Sequence, residues 1–253
     1  MRRRIRHQLA FDDLRAPAAG GRGGWRPRAG RPRGRRTIQH DVRDFLATRF
    51  PVLATWRLVD GIPSLRRDYL AALVRDAVRD SHKPSFATVE FSVQTSHLHF
   101  IIEATDNLRL ARGMQGLAKR LTLRLNRKLD RRGSLFATRY HSRILKTPRE
   151  VKHALRYVLL NARHHLDVST PIDRYWVDPY SSGPWFDGWA APLQPYSAAG
   201  QVARRHPRPT CPARTWLLRT GWRRWGLLAF DERPGPHKPQ PPRSRRSRTR
   251  SGV

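Results

Sequence analysis

Strand, helix, strand, strand, helix, strand is the order read from hydrophobic spacing between residues 49 and 145. It predicts an α+β chain: a ferredoxin-like sandwich with an antiparallel sheet and helices on one side, flanked by disordered basic termini. Three observations carry this prediction. Runs of β-branched and aromatic residues stop at turn signals; two longer segments space their apolar residues at a helical period; and both ends are dominated by Arg, Gly and Pro.

The elements follow in order. Residues 50–59 are rich in Phe, Val, Thr and Trp and stop at Asp60-Gly61, so they read as the first strand. After Pro63, Ser64 is placed to cap a helix whose apolar positions are Tyr69, Leu70, Leu73, Val74 and Val78, with Arg and Asp between. Residues 87–93 and 97–103 form two further strands joined by Gln94-Thr95-Ser96, and a second amphipathic helix runs from Leu108 to about Leu129. Residues 136–145 supply a fourth strand. The last helix has the clearest start: Thr147, Pro148 and Glu150 form a capping box with proline at the first helical position. Its stripe is Val151, Leu155, Val158, Leu159, Ala162 and Leu166, with Tyr157 projecting away from it and Asn161 flanking it one turn further on.

These edges divide the chain into a basic arm (1–48), a folded domain (49–167), a Trp/Pro-rich extension (168–200) and a basic C-terminal segment with a short helix and disordered tail (201–253). Within the arm, Gly30-Arg31-Pro32-Arg33-Gly34 is like the core of an AT-hook; a solvated arm contacting phosphates is the plainer reading. Residues 190–210 read as a linker, and residues 215–230 as a short basic helix.

Composition narrows the partners. The 253 residues hold 51 Lys+Arg against 19 Asp+Glu, a formal charge of +32. Such an excess draws phosphate polymers and makes their binding steeply salt-dependent. Cys211 is the only cysteine, which excludes an intramolecular disulfide and a cysteine zinc cluster. No apolar run reaches the roughly 18 residues of a membrane span, and the opening Arg2-Arg3-Arg4 lacks the apolar stretch of a secretory signal. The expectation is a cytoplasmic, nucleoid-associated protein with no membrane partner.

His97-Leu98-His99 opens an apolar run, and in a strand residues two apart share a face. Both imidazoles therefore project together, spaced to hold a divalent cation, with a third donor from the Asn161 amide or a carboxylate. Nitrogen and oxygen donors with open positions suit Mg²⁺ or Mn²⁺ in contact with phosphate oxygens. Tyr157 and Asn161 are one helical turn apart, so a phenol nucleophile and a metal ligand can meet one phosphate. Tyr140, between Arg139 and His141, is the rival nucleophile and the better phosphate contact. Arg109, Arg112, Lys119, Arg120 and Arg124 on the second helix form either a solvated face or a row of phosphate contacts.

Taken together, Phe50-Pro51-Val52, Ser64-Leu65-Arg66, residues 91–94, His97-Leu98-His99, Arg139-Tyr140-His141 and residues 157–163 resemble the single-tyrosine HUH transposases of the insertion-sequence-200-like kind. The nearest branch is the REP-associated tyrosine transposases, and the resemblance covers about residues 49–166. It implies His97, His99 and Asn161 as ligands of Mg²⁺ or Mn²⁺ and Tyr157 as nucleophile. It further implies a substrate of single-stranded DNA with hairpins of the REP palindrome kind, cleaved and rejoined through a 5′-phosphotyrosine. Arg139, Tyr140, His141, Lys119, Arg120, Arg124, Arg31 and Arg33 are the expected DNA contacts. Two positions depart from the family's pattern: Leu53 stands where relatives often carry histidine, and Ser96 where asparagine is common. Monomer and homodimer both stay open. The alternative function is a domesticated DNA-binding protein that kept the fold and lost catalysis.

Overall fold

A computed structural model describes residues 44–165, 173 and 175–232, all within the unit His40–Val253. Most of the expected basic arm, with Arg31, Arg33 and the Arg-Pro-Arg segment, and the expected basic tail lie outside the described residues. The chain runs β1 (Val52–Arg57), α1 (Asp68–Arg79), β2 (Phe86–Val93), β3 (His97–Ala104), α2 (Asn107–Lys128), β4 (His141–Ile144) and α3 (Pro148–His165). Two short helices follow, α4 (Ala198–Arg205) and α5 (Trp216–Arg219). The strands lie in the order β2-β3-β1-β4 and every pairing is antiparallel, which is the ferredoxin-like arrangement.

Alternation along β3 builds two cores. Leu98, Phe100 and Ile102 face α1 and α2, meeting Leu70, Val74 and Val78 from the first helix and Met114, Leu117, Leu121 and Leu125 from the second. His97, His99, Ile101 and Glu103 therefore face the other way. Ile101 packs there with Leu155, Val158 and Leu159 of α3. The two helices expected on one side are α1 and α2, while α3 covers the opposite face because the strand residues left on that side include Leu53, Val89 and Ile101, which need burial.

The segment after α3 completes the second core with Val177, Phe186, Trp189, Leu217, Leu218, Trp222, Leu228 and Phe230. Tyr180 and Ser182 also pair with the outer edge of β2, through Val93 N–H to Tyr180 O and Ser182 N–H to Phe91 O at 2.9 Å each, which protects an edge strand. Arg66 ties the two halves by a two-pronged bond to the buried Asp178 at 2.9 and 3.0 Å.

Several boundaries differ from the sequence reading. Ser64 does not cap α1; its Oγ accepts from Arg66 N–H, and the helix starts at Asp68 with Arg67 at the cap position. Residues 64–67 stay outside the helix while Arg66 reaches Asp178 and the Val93 carbonyl. The fourth strand is only His141–Ile144, because Phe136 leaves the ladder to stack on Trp56 and touches the sheet as a single bridge to Leu58. The stretch read as a linker contains α4, capped by Ser197. The helix read over residues 215–230 is two pieces, α5 and the 3₁₀ turn Gly221–Trp225. At α3 the capping box forms as expected: Glu150 N–H donates to Thr147 Oγ1 and Thr147 N–H to Glu150 Oε2.

Candidate catalytic site

The antiparallel register sets a row of polar side chains across the face covered by α3. Ser92 on β2 lies opposite His99 on β3, His99 opposite Thr55 on β1, and Thr55 opposite His141 on β4. His97 sits two residues along from His99, opposite Arg57. The two imidazoles are parallel to within 5°, with ring centroids 6.1 Å apart. Hydroxyls fix both: Thr55 Oγ1 is 3.0 Å from His99 Nδ1, and Ser96 Oγ is 2.9 Å from His97 Nδ1. A hydroxyl engaged with Nδ1 fixes ring orientation, so a metal taken by either ring would meet Nε2.

Helix α3 lays Tyr157 on this row. Its ring centroid is 5.0 Å from that of His99, edge to face at 74°. Both side chains are withdrawn from solvent, His99 being 4% exposed and Tyr157 half-buried. Burial pushes the Tyr157 phenol above its ordinary pKa, so it is protonated at neutral pH and needs help to act as a nucleophile. Asn161, one turn further along α3, is buried. Tyr157 does not project away from the apolar stripe as its spacing suggested. It flanks a broad buried face, since the C-terminal segment packs on α3 beside the sheet.

His97, His99 and Tyr157 are thus brought together, Asn161 follows on the same helix, and His141 shares their face. Tyr140 goes elsewhere: its ring meets Trp56 edge-on at 5.8 Å, against the α1/α2 core on the far side of the sheet from the histidines. Arg139 is exposed just before β4. The α2 row is on the far side too. Lys119 is exposed, Arg120 donates to the Gly116 carbonyl, and Arg124 pairs with Asp80. Leu53, the first departure from the resemblance, packs into the second core; Ser96, the second, bonds His97. Thr55 is the residue missed in the sequence: no local motif marks it, and only strand register brings it beside His99. Ser92, within the 91–94 segment that carries the resemblance, lies across from His99, and Gln94 Nε2 donates to its Oγ at 3.1 Å.

Among the described residues no three His, Cys, Asp or Glu side chains gather as a metal cluster, and no helix is long and apolar enough to cross a membrane. No family model matches the chain. No curated protein matches it either. Among solved structures it is similar to one described as a REP-associated tyrosine transposase bound to a REP hairpin, at 14% identity over 51% of this chain and 74% of that one, with a TM-score of 0.42.

Proposed function

We propose that this protein cleaves and rejoins single-stranded DNA in the manner of a transposase, with Tyr157 as the nucleophile. One observation carries the reading: a phenol on α3 touches one of two parallel, hydroxyl-oriented imidazoles that project from a neighbouring strand. Tyr157 Oη would attack the scissile phosphorus, forming the Oη–P bond as the P–O3′ bond breaks, and the proton lost by the phenol is balanced by the one gained at the departing 3′-oxygen. The ester energy is kept in the 5′-phosphotyrosine, so a second 3′-hydroxyl can reverse the step on the same or another end.

The donor set fits a divalent cation. The two imidazoles stand side by side on β3, and Asn161 on the adjoining helix would add an amide oxygen. His97, His99 and Asn161 would hold the cation; two imidazoles favour Mn²⁺ over Mg²⁺. When bound, such an ion neutralises charge on the phosphate and favours the phenolate. The protein's own residues do the rest: Thr55 and Ser96 orient the rings, and α3 holds Tyr157 against them. The resemblance points to hairpins of the repeated-palindrome kind as substrate.

The rival reading is a DNA-binding protein without catalysis, and the half-buried setting of Tyr157 favours it. Labelled hairpin-bearing single-stranded DNA incubated with Mn²⁺ separates the two. We expect a protein–DNA adduct that survives SDS, absent in Tyr157→Phe and in His97→Ala. Tight binding with no adduct on any hairpin substrate would leave the binding protein.

A further inference from the structure

Where β3 ends, the surface carries a feature that strand cleavage does not use. Trp216 and Trp225 are 48% and 56% exposed, whereas Trp189 and Trp222 from the same segment are buried. Each exposed indole has a guanidinium over it: Arg224 lies 5.0 Å from the Trp216 ring centroid, and Arg149 lies 5.7 Å from that of Trp225. Arg224 and Trp225 are chain neighbours, so Arg149, Trp225, Arg224 and Trp216 form one continuous row.

The row is held in place. Lys152 Nζ donates to the Trp225 carbonyl, and Thr215 N–H donates to Glu103 Oε1 at 2.7 Å, pinning the start of α5 to the end of β3. The surroundings are strongly positive: burial first, then Arg156, Arg149, Arg143 and Lys152, hold the His153 imidazole below its ordinary pKa. Beside Trp216 opens a cavity of about 370 Å³ lined also by Arg49, Arg214, Pro84 and Ala104, with room for a nucleobase. Indoles alternating with guanidiniums on a basic surface match the alternation of bases and phosphates in an unpaired strand, and a duplex would keep its bases out of reach.

We propose that this row binds an unpaired stretch of single-stranded DNA, one base stacking on each indole, one of them entering the cavity beside Trp216, and the guanidiniums meeting the adjoining phosphates. The choice of DNA over RNA rests on the function proposed above; the stacking does not. At about 3.3 Å per residue along β3, Glu103, to which the start of α5 is pinned, lies roughly 20 Å from His97, so a strand engaged at His97 and at Trp216 spans several nucleotides.

The test uses the full chain carrying Tyr157→Phe, so that cleavage plays no part, and a labelled oligo-dT of about 12 nucleotides followed by fluorescence anisotropy. Trp225→Ala and Trp216→Ala should each weaken binding about five-fold or more, Trp225→Phe should keep most of it, and a blunt duplex of equal length should bind more weakly. Should Trp216→Ala fail to give a cooperative melt, Trp225→Ala and Arg224→Gln decide alone, since both side chains stand at the surface. Unchanged affinity in both would overturn the proposal, as would a duplex held as tightly as the single strand. An oligo-U bound more tightly than oligo-dT overturns the choice of DNA. Intact strand binding by a protein that never forms an adduct would sink the cleavage reading and leave this one standing.

Discussion

Thr55 lies directly across the sheet from His99 and bonds its Nδ1, the kind of contact that fixes how an imidazole presents its other nitrogen. Thr55→Val keeps the shape and the β-branching but removes the hydroxyl. We expect Mn²⁺ affinity, followed by calorimetry, to fall about 10- to 100-fold with the melting temperature little changed; an unaltered affinity would mean that the hydroxyl plays no part in orienting His99. Glu90 tells a different story. It is buried on β2, and loss of hydration pushes its carboxyl from 4.5 to about 8 despite a bond from Ser182 Oγ. The folded protein therefore keeps a proton that the unfolded chain releases, so stability is full below pH 4.5 and falls as pH rises to about 8, by a few kcal/mol. Glu90→Gln should flatten that slope, and melts at both ends of the window would reveal it; an equal slope in both proteins would mean that Glu90 ionises normally. At this scale the histidine pair was readable because a strand's period is local. Thr55 was not, because cross-strand register depends on pairing between residues 44 positions apart.

Among the elements, the first three strands and the helices α2 and α3 were legible to within a few residues, since each carries its own period. Helix α3 shows where that stops. Its stripe was read as one line, yet Leu160 and Asn161 are buried beside it, because two surfaces press on the helix: the sheet and the returning C-terminal segment. A face count assumes one partner, and so it set Tyr157 on the wrong side. The lost helix start at Ser64 has the same origin, a distant carboxylate at Asp178 that holds Arg66. Helix α2 approaches the sheet closely at Gly113, where an added Cβ would overlap the Phe86 ring. Gly113→Ala is expected to destabilise by about 1–3 kcal/mol through overpacking, despite alanine's better helix propensity; a chemical-denaturation midpoint equal to or above that of the parent would contradict the close approach.

For the whole molecule, the C-terminal segment belongs to the folded unit. It supplies Trp189, Trp222, Leu228 and Phe230 to the core that holds α3, and each large apolar side chain buried there contributes about 1.5–3 kcal/mol. Ending the chain before residue 173 should therefore expose the α3 face and give an insoluble or non-cooperatively melting product; a soluble truncation with an unchanged melt would show that α3 is held by the sheet alone. That segment was illegible from its sequence because its apolar residues follow no period and are fixed by what they fold back upon.

If Tyr157 Oη is the atom that bonds to the scissile phosphorus, peptide mapping by mass spectrometry of the SDS-resistant species reveals it most directly. We expect the nucleotide on the α3 peptide, at Tyr157, and no modified peptide from Tyr157→Phe. A nucleotide found on Tyr140 or any other residue, or an adduct that persists in Tyr157→Phe, would contradict it.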